Sequence, residues 1–253
     1  MSLVGYGTAR GVATVTLDSP HNRNALSAAL TEELLDALAT AAADDAVRVV
    51  VLSHTGPVFC SGADLKETAA GGRPISRVGE VLEAIWEGPK PVVARVGGPA
   101  RAGGLGLIAA ADLAVCTTDA TFAFSEVRLG VIPAVISSTV LPRLAPRAAA
   151  ELFLTGSTFD GTRAAEIGLV TTAVGADDLD RTVDDLVSAL VRGAPGALAG
   201  TKRLLRRRKA DTFREEVAAL TELSVEYFGS AEGIEGVLAF REKRDASWIP
   251  RSE

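Results

Sequence analysis

Glu126 stands alone in an otherwise apolar stretch, Thr121–Pro133 (TFAFSEVRLGVIP), flanked by Phe122, Phe124, Val127, Leu129 and Val131. A carboxylate against apolar walls is destabilised as an anion, so its pKa moves up toward the range useful to a general acid or base. The competing fate is an ion pair with Arg128. A second segment, Gly97–Asp112 (GGPARAGGLGLIAAAD), sets Gly103-Gly104 just before an apolar helical run. Backbone N–H groups then lie at a helix N-terminus, which carries about half a positive charge and suits an oxyanion or a phosphate. The G-x-G-x-x-G spacing of dinucleotide sites is absent there. Close packing of helix on strand would ask for the same small residues. A third segment, Val51–Glu67, runs from a buried strand into Cys60-Ser61-Gly62-Ala63-Asp64. Small residues let a ligand approach the backbone, and free N–H groups at such a turn make an anion-binding concavity. A tight strand-to-helix connection has the same composition.

The elements that must position these residues alternate. Val12–Leu17 reads as a strand, and Asp18–Asn24 as a turn rich in Asp, Ser, Pro and Asn. Ser27 can cap a helix running through Ala43, with Leu30, Leu34, Leu38 and Ala41 at helical spacing. Val47–Leu52 is a buried strand. A helix lies between Ile75 and Trp86 and stops at Gly88-Pro89. Pro91–Val96 is a strand, Gly104–Ala111 a helix and Leu113–Cys116 a strand. Helices follow over Ile136–Leu144 and from Ala148, then a strand at Leu169–Val174, and from about Asp177 the chain reads helical. Strands alternating with helices predict an α/β core over residues 1–195. Residues 196–253 form a helical region that packs on the core or on another subunit.

Composition narrows the classes. The 253 residues carry 26 Lys+Arg against 32 Asp+Glu, a net charge of −6, which disfavours a nucleic-acid coat. With 47% hydrophobic and 23% charged residues the chain is ordinary globular protein. Two cysteines, Cys60 and Cys116, give neither a zinc spacing nor a disulfide framework and fit a reducing compartment. No secretory signal is visible at Met1–Gly11, and the most apolar run, Leu105–Val115, is broken by Asp112. A cytoplasmic enzyme is expected.

Other polar residues read as structural. His21 sits in an exposed turn and His54 caps a strand end. Cys60 is a packed small residue with no base beside it. Ser137 and Ser138 have no partnering histidine, and Asp112 hydrogen-bonds at a strand start. The basic run Lys202–Lys209 (KRLLRRRK) reads as a helix anchored by Leu204 and Leu205 with its charges fanned into solvent. Its other reading is an RNA-binding surface, weakened by the lack of interleaved aromatic residues.

Taken in order, these motifs resemble the enoyl-CoA hydratase/isomerase (crotonase) family: Arg23-Asn24-Ala25-Leu26, Phe59-Cys60-Ser61-Gly62-Ala63-Asp64-Leu65-Lys66, Gly103-Gly104-Leu105 with Asp112, Phe124-Ser125-Glu126, Gly130, Ile132-Pro133, and Ala239-Phe240-Arg241-Glu242-Lys243-Arg244. Each motif alone is weak; the whole series at the family's spacing is specific. The resemblance implies a spiral of ββα units with a C-terminal helical trimerisation region, in a trimer often paired into a hexamer. It implies an acyl-CoA thioester substrate, with CoA part of that substrate and neither a separate cofactor nor a metal. Two backbone N–H groups, at Ala63 and Gly103, would stabilise a thioester enolate, with Glu126 as acid and base. Backbone around Ala25, Ser61, Ala63, Asp64 and Leu65 would hold the adenine and pantetheine arm, and Gly103, Gly104 and Pro133 would also bind substrate. Arg23 would meet the CoA phosphates, and Phe240 and Lys243 of a neighbouring subunit would close over the nucleotide. Neither a membrane nor a nucleic acid is an expected partner.

One departure bears on the chemistry. The best-known hydratases of the family use two glutamates, and the first of them falls at Gly106. One carboxylate must then serve as both acid and base in hydration; some branched or dicarboxylic acyl-CoA hydratases, the bacterial methylglutaconyl-CoA hydratases among them, resemble this sequence here. Alternatively it shuttles a proton in isomerising a 3-enoyl to a 2-enoyl thioester. A CoA-binding protein without turnover is a third outcome. Arg101 and Ala102 also replace residues that are often apolar and Gly.

Overall fold

The computed structural model describes residues 2–64, 67, 74–206 and 230–249. It opens with a hairpin: β1 (Val4–Ala9) runs antiparallel to β2 (Val12–Leu17). Arg10 and Gly11 between them both take positive φ, 48° and 81°, the backbone a two-residue hairpin turn needs. Strand β1 has no counterpart in the sequence reading, because Gly5 and Gly7 interrupt its alternation. Ser27 then caps α1 (Ala28–Ala43), its Oγ accepting the Leu30 N–H at 3.2 Å.

From there strands and helices alternate: β3 (Val49–His54), α2 (Pro74–Glu87), β4 (Val92–Val96), β5 (Ala100–Arg101), α3 (Gly103–Ala110), β6 (Leu113–Thr117) and β7 (Thr121–Ala123), of which β5 and β7 have no counterpart in the sequence reading. After a 3-10 turn at Glu126–Leu129 come α4 (Ala134–Val140), α5 (Pro146–Thr155), β8 (Phe159–Asp160), α6 (Gly161–Glu166), β9 (Thr172–Val174), α7 (Leu179–Val191), α8 (Pro195–Arg206) and α9 (Ala231–Glu242). Three boundaries differ from expectation. Strand β3 starts at Val49, after Asp44 and Val47 close a turn (Val47 N–H to Asp44 O, 3.0 Å). Helix α4 stops at Val140, ahead of Pro142, which cannot continue the hydrogen-bond ladder. Leu169 and Val170 precede β9 rather than open it, their N–H groups bonding Ala164 O at the end of α6.

The main sheet has the order β1-β2-β3-β4-β6-β9, parallel from β2 onward. A small sheet, β5-β7-β8, is extended by the bridges Cys60↔Ala100 and Leu26↔Ala63. The passages through β2, β3, β4 and β6 are thus each followed by a short stretch in the second ladder and then a helix, the ββα repeat. Alternation splits the main sheet's two faces. Val50, Leu52, Ala94 and Val96 join the large core with α1, α2 and α3, whereas Val49, Val51, Val93 and Val115 meet Leu179, Val183 and Val187 of α7. Those α7 residues recur every four positions, one helical stripe. Both faces are covered, as a parallel sheet requires.

Candidate active site

The chain leaving β3 is clamped on both sides. On one, Ser61 N–H bonds Arg23 O (3.0 Å), Leu26 N–H bonds Gly62 O (2.8 Å) and Asp64 N–H reaches Leu26 O (3.4 Å). On the other, Phe59 N–H bonds Pro99 O and Arg101 N–H bonds Cys60 O, both at 3.0 Å. Asn24, fully buried, fixes the approach: Oδ1 accepts from Ser19 N–H, and Nδ2 donates to Thr55 O and Val58 O at 3.0 and 2.8 Å. It holds this place with φ +53°, next to Arg23 at +60°.

In the Leu26↔Ala63 bridge the bonds to Leu26 are made by Gly62 and Asp64, so the Ala63 N–H faces the other way. It donates to no acceptor among the described residues, and neither does the Gly103 N–H, the first amide of α3. The two amides flank one small space. A Cβ on Gly62 would lie 3.6 Å from Gly103 N, and a Cβ on Gly103 would lie 3.9 Å from Ala63 N. A Cβ at 104 would press on the backbone at Cys60 O, 2.7 Å away, so glycine is required there, whereas one at 103 would push on the end of the Leu26 side chain, Cδ1 at 2.7 Å. Two unpaired donors beside a helix N-terminus are the makings of an oxyanion hole.

The peptide carrying the Gly103 N–H is aimed by strain. Ala102 sits at φ 45°, ψ −115°, a region that suits glycine and costs a residue with a Cβ about 1–3 kcal/mol. Its carbonyl accepts from both Leu105 and Gly106 N–H, which holds it there. Ala102→Gly should therefore gain about 1 kcal/mol after glycine's own entropy cost of roughly 0.5–1 kcal/mol, raising Tm by about 2–4 °C. Calorimetry that found an unchanged or lower Tm would show that Ala102 is not strained.

Glu126 leaves β7 at the 3-10 turn. Strands β5 and β7 pair at Arg101↔Ala123, and the Ala102 N–H reaches Ala123 O at 3.4 Å, so the acid follows directly on the segment beside the Gly103 amide. Glu126 is 9% exposed, and its Oε2 is buried without a hydrogen-bond partner. Behind it Phe124 is fully buried against Phe153, ring centroids 4.5 Å apart. Burial pushes the Glu126 carboxyl above the ordinary range. The expected competitor does not form: Arg128 is exposed and donates its Nε–H to Thr155 O at 3.2 Å.

Position 106 is closed. A Cβ on Gly106 would meet Ile136 Cγ2 at 2.7 Å and Leu82 Cδ2 at 3.3 Å, so the volume a second glutamate would need is packed with hydrocarbon. The Gly106 carbonyl takes the Thr139 hydroxyl from the same helix as Ile136. The missing carboxylate is legible in the sequence at Gly106, whereas Ile136 filling its place leaves no local signal.

The remaining expected ligand residues divide. Arg23, Ala25, Ser61, Ala63, Asp64, Gly103 and Gly104 are brought together, with Arg23 exposed and Ala25 buried. Asp64 Oδ1 accepts the Glu67 N–H at 3.2 Å, and Glu67 Oε2 accepts the Ala28 N–H at 2.9 Å, tying this turn to the start of α1. Pro133 is half-buried at the start of α4. Leu65 and the Phe240 side chain lie outside the described residues. Lys243 is exposed at the end of α9, which is tied by Glu232 to the Gly196 and Ala197 N–H groups and by Trp248 to Arg192 O.

The residues read as structural are so. His54 Nε2 accepts the Gly97 N–H at 3.1 Å, and burial pushes its pKa down. Burial pushes the Cys60 thiol up to about 12, leaving no thiolate for nucleophilic work. Ser137 and Ser138 bond carbonyls of their own helix. Lys202 and Arg206 overturn the reading of the basic run: Lys202 is 5% exposed whereas Leu205 is 80% exposed. Lys202 and Arg206 face inward and the leucines outward, because buried carbonyls and Asp112 satisfy those two charges, while Arg203 stays exposed. Residues 207–209 of the run lie outside the described residues. Among the described residues no helix is long and apolar enough to cross a membrane, and no group of His, Cys, Asp or Glu could hold a metal ion.

The fold and these features have known counterparts. The enoyl-CoA hydratase/isomerase family model matches residues 7–251. A carnitinyl-CoA dehydratase of Proteus mirabilis is 31% identical over 255 residues, covering 96% of this chain and 97% of that protein. The crystal structure of an enoyl-CoA hydratase of Mycobacterium smegmatis superposes with a TM-score of 0.90 at 35% identity, covering 97% of this chain and 98% of that one. An enoyl-CoA hydratase structure from Mycobacterium avium gives 0.75 at 46% identity, covering 98% and 99%. The chain belongs to the enoyl-CoA hydratase/isomerase family. It is an acyl-CoA-processing enzyme of the crotonase fold.

Proposed function

We propose that this enzyme adds water across the double bond of a 2-enoyl-CoA, with Glu126 as its one acid–base group. What supports the reading is a buried carboxyl whose Oε2 has no partner, two amides that donate to no acceptor among the described residues, and a position 106 closed to a second carboxylate. In the forward reaction the Glu126 carboxylate takes a proton from water as the water oxygen bonds to the β-carbon. The double-bond pair moves onto the thioester oxygen, where the Ala63 and Gly103 N–H groups meet the new charge. The enolate then collapses, and the α-carbon takes the proton that Glu126 holds. Atoms balance as one water gained. The raised pKa suits both halves, since a carboxylate short of solvation is a stronger base.

The closed position also favours a second reading. Moving a double bond from a 3-enoyl to a 2-enoyl thioester needs one base that removes and returns a proton, and Glu126 alone can do that. Mass spectrometry on a panel of 2-enoyl- and 3-enoyl-CoA thioesters separates the two. A gain of one water supports hydration; unchanged mass with a moved double bond supports isomerisation; no conversion of any thioester defeats both. The CoA end fits Arg23, an exposed guanidinium beside the Ser61–Asp64 turn, whose charge suits phosphates. Assembly as a trimer would give the outward leucines a place. Leu204 and Leu205 on α8, and Ile234, Val237 and Leu238 on α9, are exposed in the single chain.

A further inference from the structure

Lys202 and Arg206 lie one helical turn apart on α8 and reach into the base of the oxyanion helix, α3. Lys202 Nζ donates to Ile85 O (2.8 Å) and Lys90 O (2.9 Å) and pairs with Asp112 Oδ2 at 2.9 Å. Arg206 pairs with Asp112 Oδ1 at 2.6 Å and donates to Ala110 O at 3.2 Å. From the other side Arg143 donates to Ala109 O (3.2 Å) and Ala111 O (2.9 Å). Three consecutive carbonyls at the C-terminal end of α3 thus each receive a guanidinium N–H. Both guanidiniums stand over the Trp86 ring, 5.1 and 4.2 Å from its centroid. Asp112, which also accepts the Val92 N–H, is the one carboxylate among the described residues in direct contact with this group. Among the described residues Arg143, Lys202 and Arg206 therefore outnumber it, and Glu87 is the other acid that acts on Lys202 and Arg206.

We propose that Arg143 and Arg206 are positioning residues for the thioester enolate, acting through α3 by cancelling the negative end of its dipole and holding its axis on the Gly103 amide. The proposal rests on the oxyanion-hole reading above. The helix has eight residues, so its ends are about 12 Å apart. Its C-terminal end carries roughly half a negative charge, which opposes the positive end where the enolate forms. Guanidiniums on Ala109, Ala110 and Ala111 remove that opposition. A unit positive charge about 12 Å from an anion, in an effective dielectric of about 20, shifts the anion's equilibrium by roughly tenfold. The structure gives a reason for the charge to be arginine: each guanidinium bonds carbonyls and covers a tryptophan face at once.

Arg143→Gln tests this, because Gln keeps an N–H donor for the carbonyls and removes the charge. Binding of acetoacetyl-CoA gives a readout that mere loss of packing does not move: the pH at which the bound ligand becomes its enolate, followed by ultraviolet absorbance. Expected for Arg143→Gln are a kcat about tenfold lower, KM within about twofold, and an enolate midpoint about one pH unit higher. Arg143→Lys should recover most of each. Asp112→Asn, which adds net positive charge, should move the midpoint the opposite way, and it carries the test if Arg143→Gln does not fold. A folded Arg143→Gln with unchanged kcat and midpoint overturns the proposal, as does an Asp112→Asn midpoint that stays or rises. If the unaltered enzyme binds acetoacetyl-CoA without lowering its midpoint below that of the free ligand, the oxyanion hole itself fails, and this inference with it.

Discussion

Glu126→Gln turns over its enoyl thioester at least a hundredfold more slowly than the unaltered chain and binds CoA thioesters almost as well. General acid–base groups typically contribute 10²–10⁴-fold, and position 106 holds no second group to share the work. The pH dependence follows from the raised Glu126 pKa. Hydration needs the carboxylate, so kcat/KM should climb as pH rises through that raised value and then level off, a step missing in the Gln variant. Stability moves the other way. The folded pKa lies above the ordinary value of 4.5, so the unfolded chain loses this proton first. The contribution of the protonated side chain is full below about 4.5 and is lost as pH rises through the folded value. A neutral glutamine escapes that loss. Its Tm at neutral pH should equal or exceed that of the unaltered chain, with the difference closing below about pH 4.5. Turnover within tenfold of normal would remove Glu126 from the mechanism.

Deleting the Ala63 amide should cost as much. Lactic acid at position 63, introduced as an ester-forming residue, keeps the methyl group and replaces the N–H by oxygen. Loss of a single oxyanion donor costs about 10²–10³ in kcat. Because the Ala63 N–H donates to no described acceptor, folding should be little affected. The weakened Gly62 carbonyl, which accepts from Leu26 N–H at 2.8 Å, sets the small stability change. Ala63→Gly, which keeps the N–H, should stay within a few-fold of normal. Equal rates for the ester and Ala63→Gly would mean that this amide does not touch the reacting oxygen.

Much of the site was legible because its residues break local rules. A glutamate among phenylalanines, a Gly-Gly ahead of an apolar helix and a small-residue turn after a buried strand each contradict what packing alone would choose, and such conflicts concentrate at functional sites. Ser27, the Gly88-Pro89 stop and the buried strands were legible for the converse reason: cap, breaker and period agree. The losses have separate physical causes. Strand β1 hides behind Gly5 and Gly7, and β5, β7 and β8 are two or three residues long, too short for any period to register. The basic run was misread because helical spacing shows which residues share a face but not which face is buried. Asp112 and the Ile85 carbonyl lie 90 and 117 positions before Lys202 and turn that side chain inward. Ile136 in the space of residue 106 is likewise a contact between distant elements that no local pattern announces.

A crystal structure with acetoacetyl-CoA bound is the most direct test. The thioester oxygen should lie within about 2.7–3.1 Å of both Ala63 N and Gly103 N, with the Glu126 carboxyl facing the α-carbon. A thioester seated elsewhere, or reached by only one of those nitrogens, would contradict the proposed oxyanion hole.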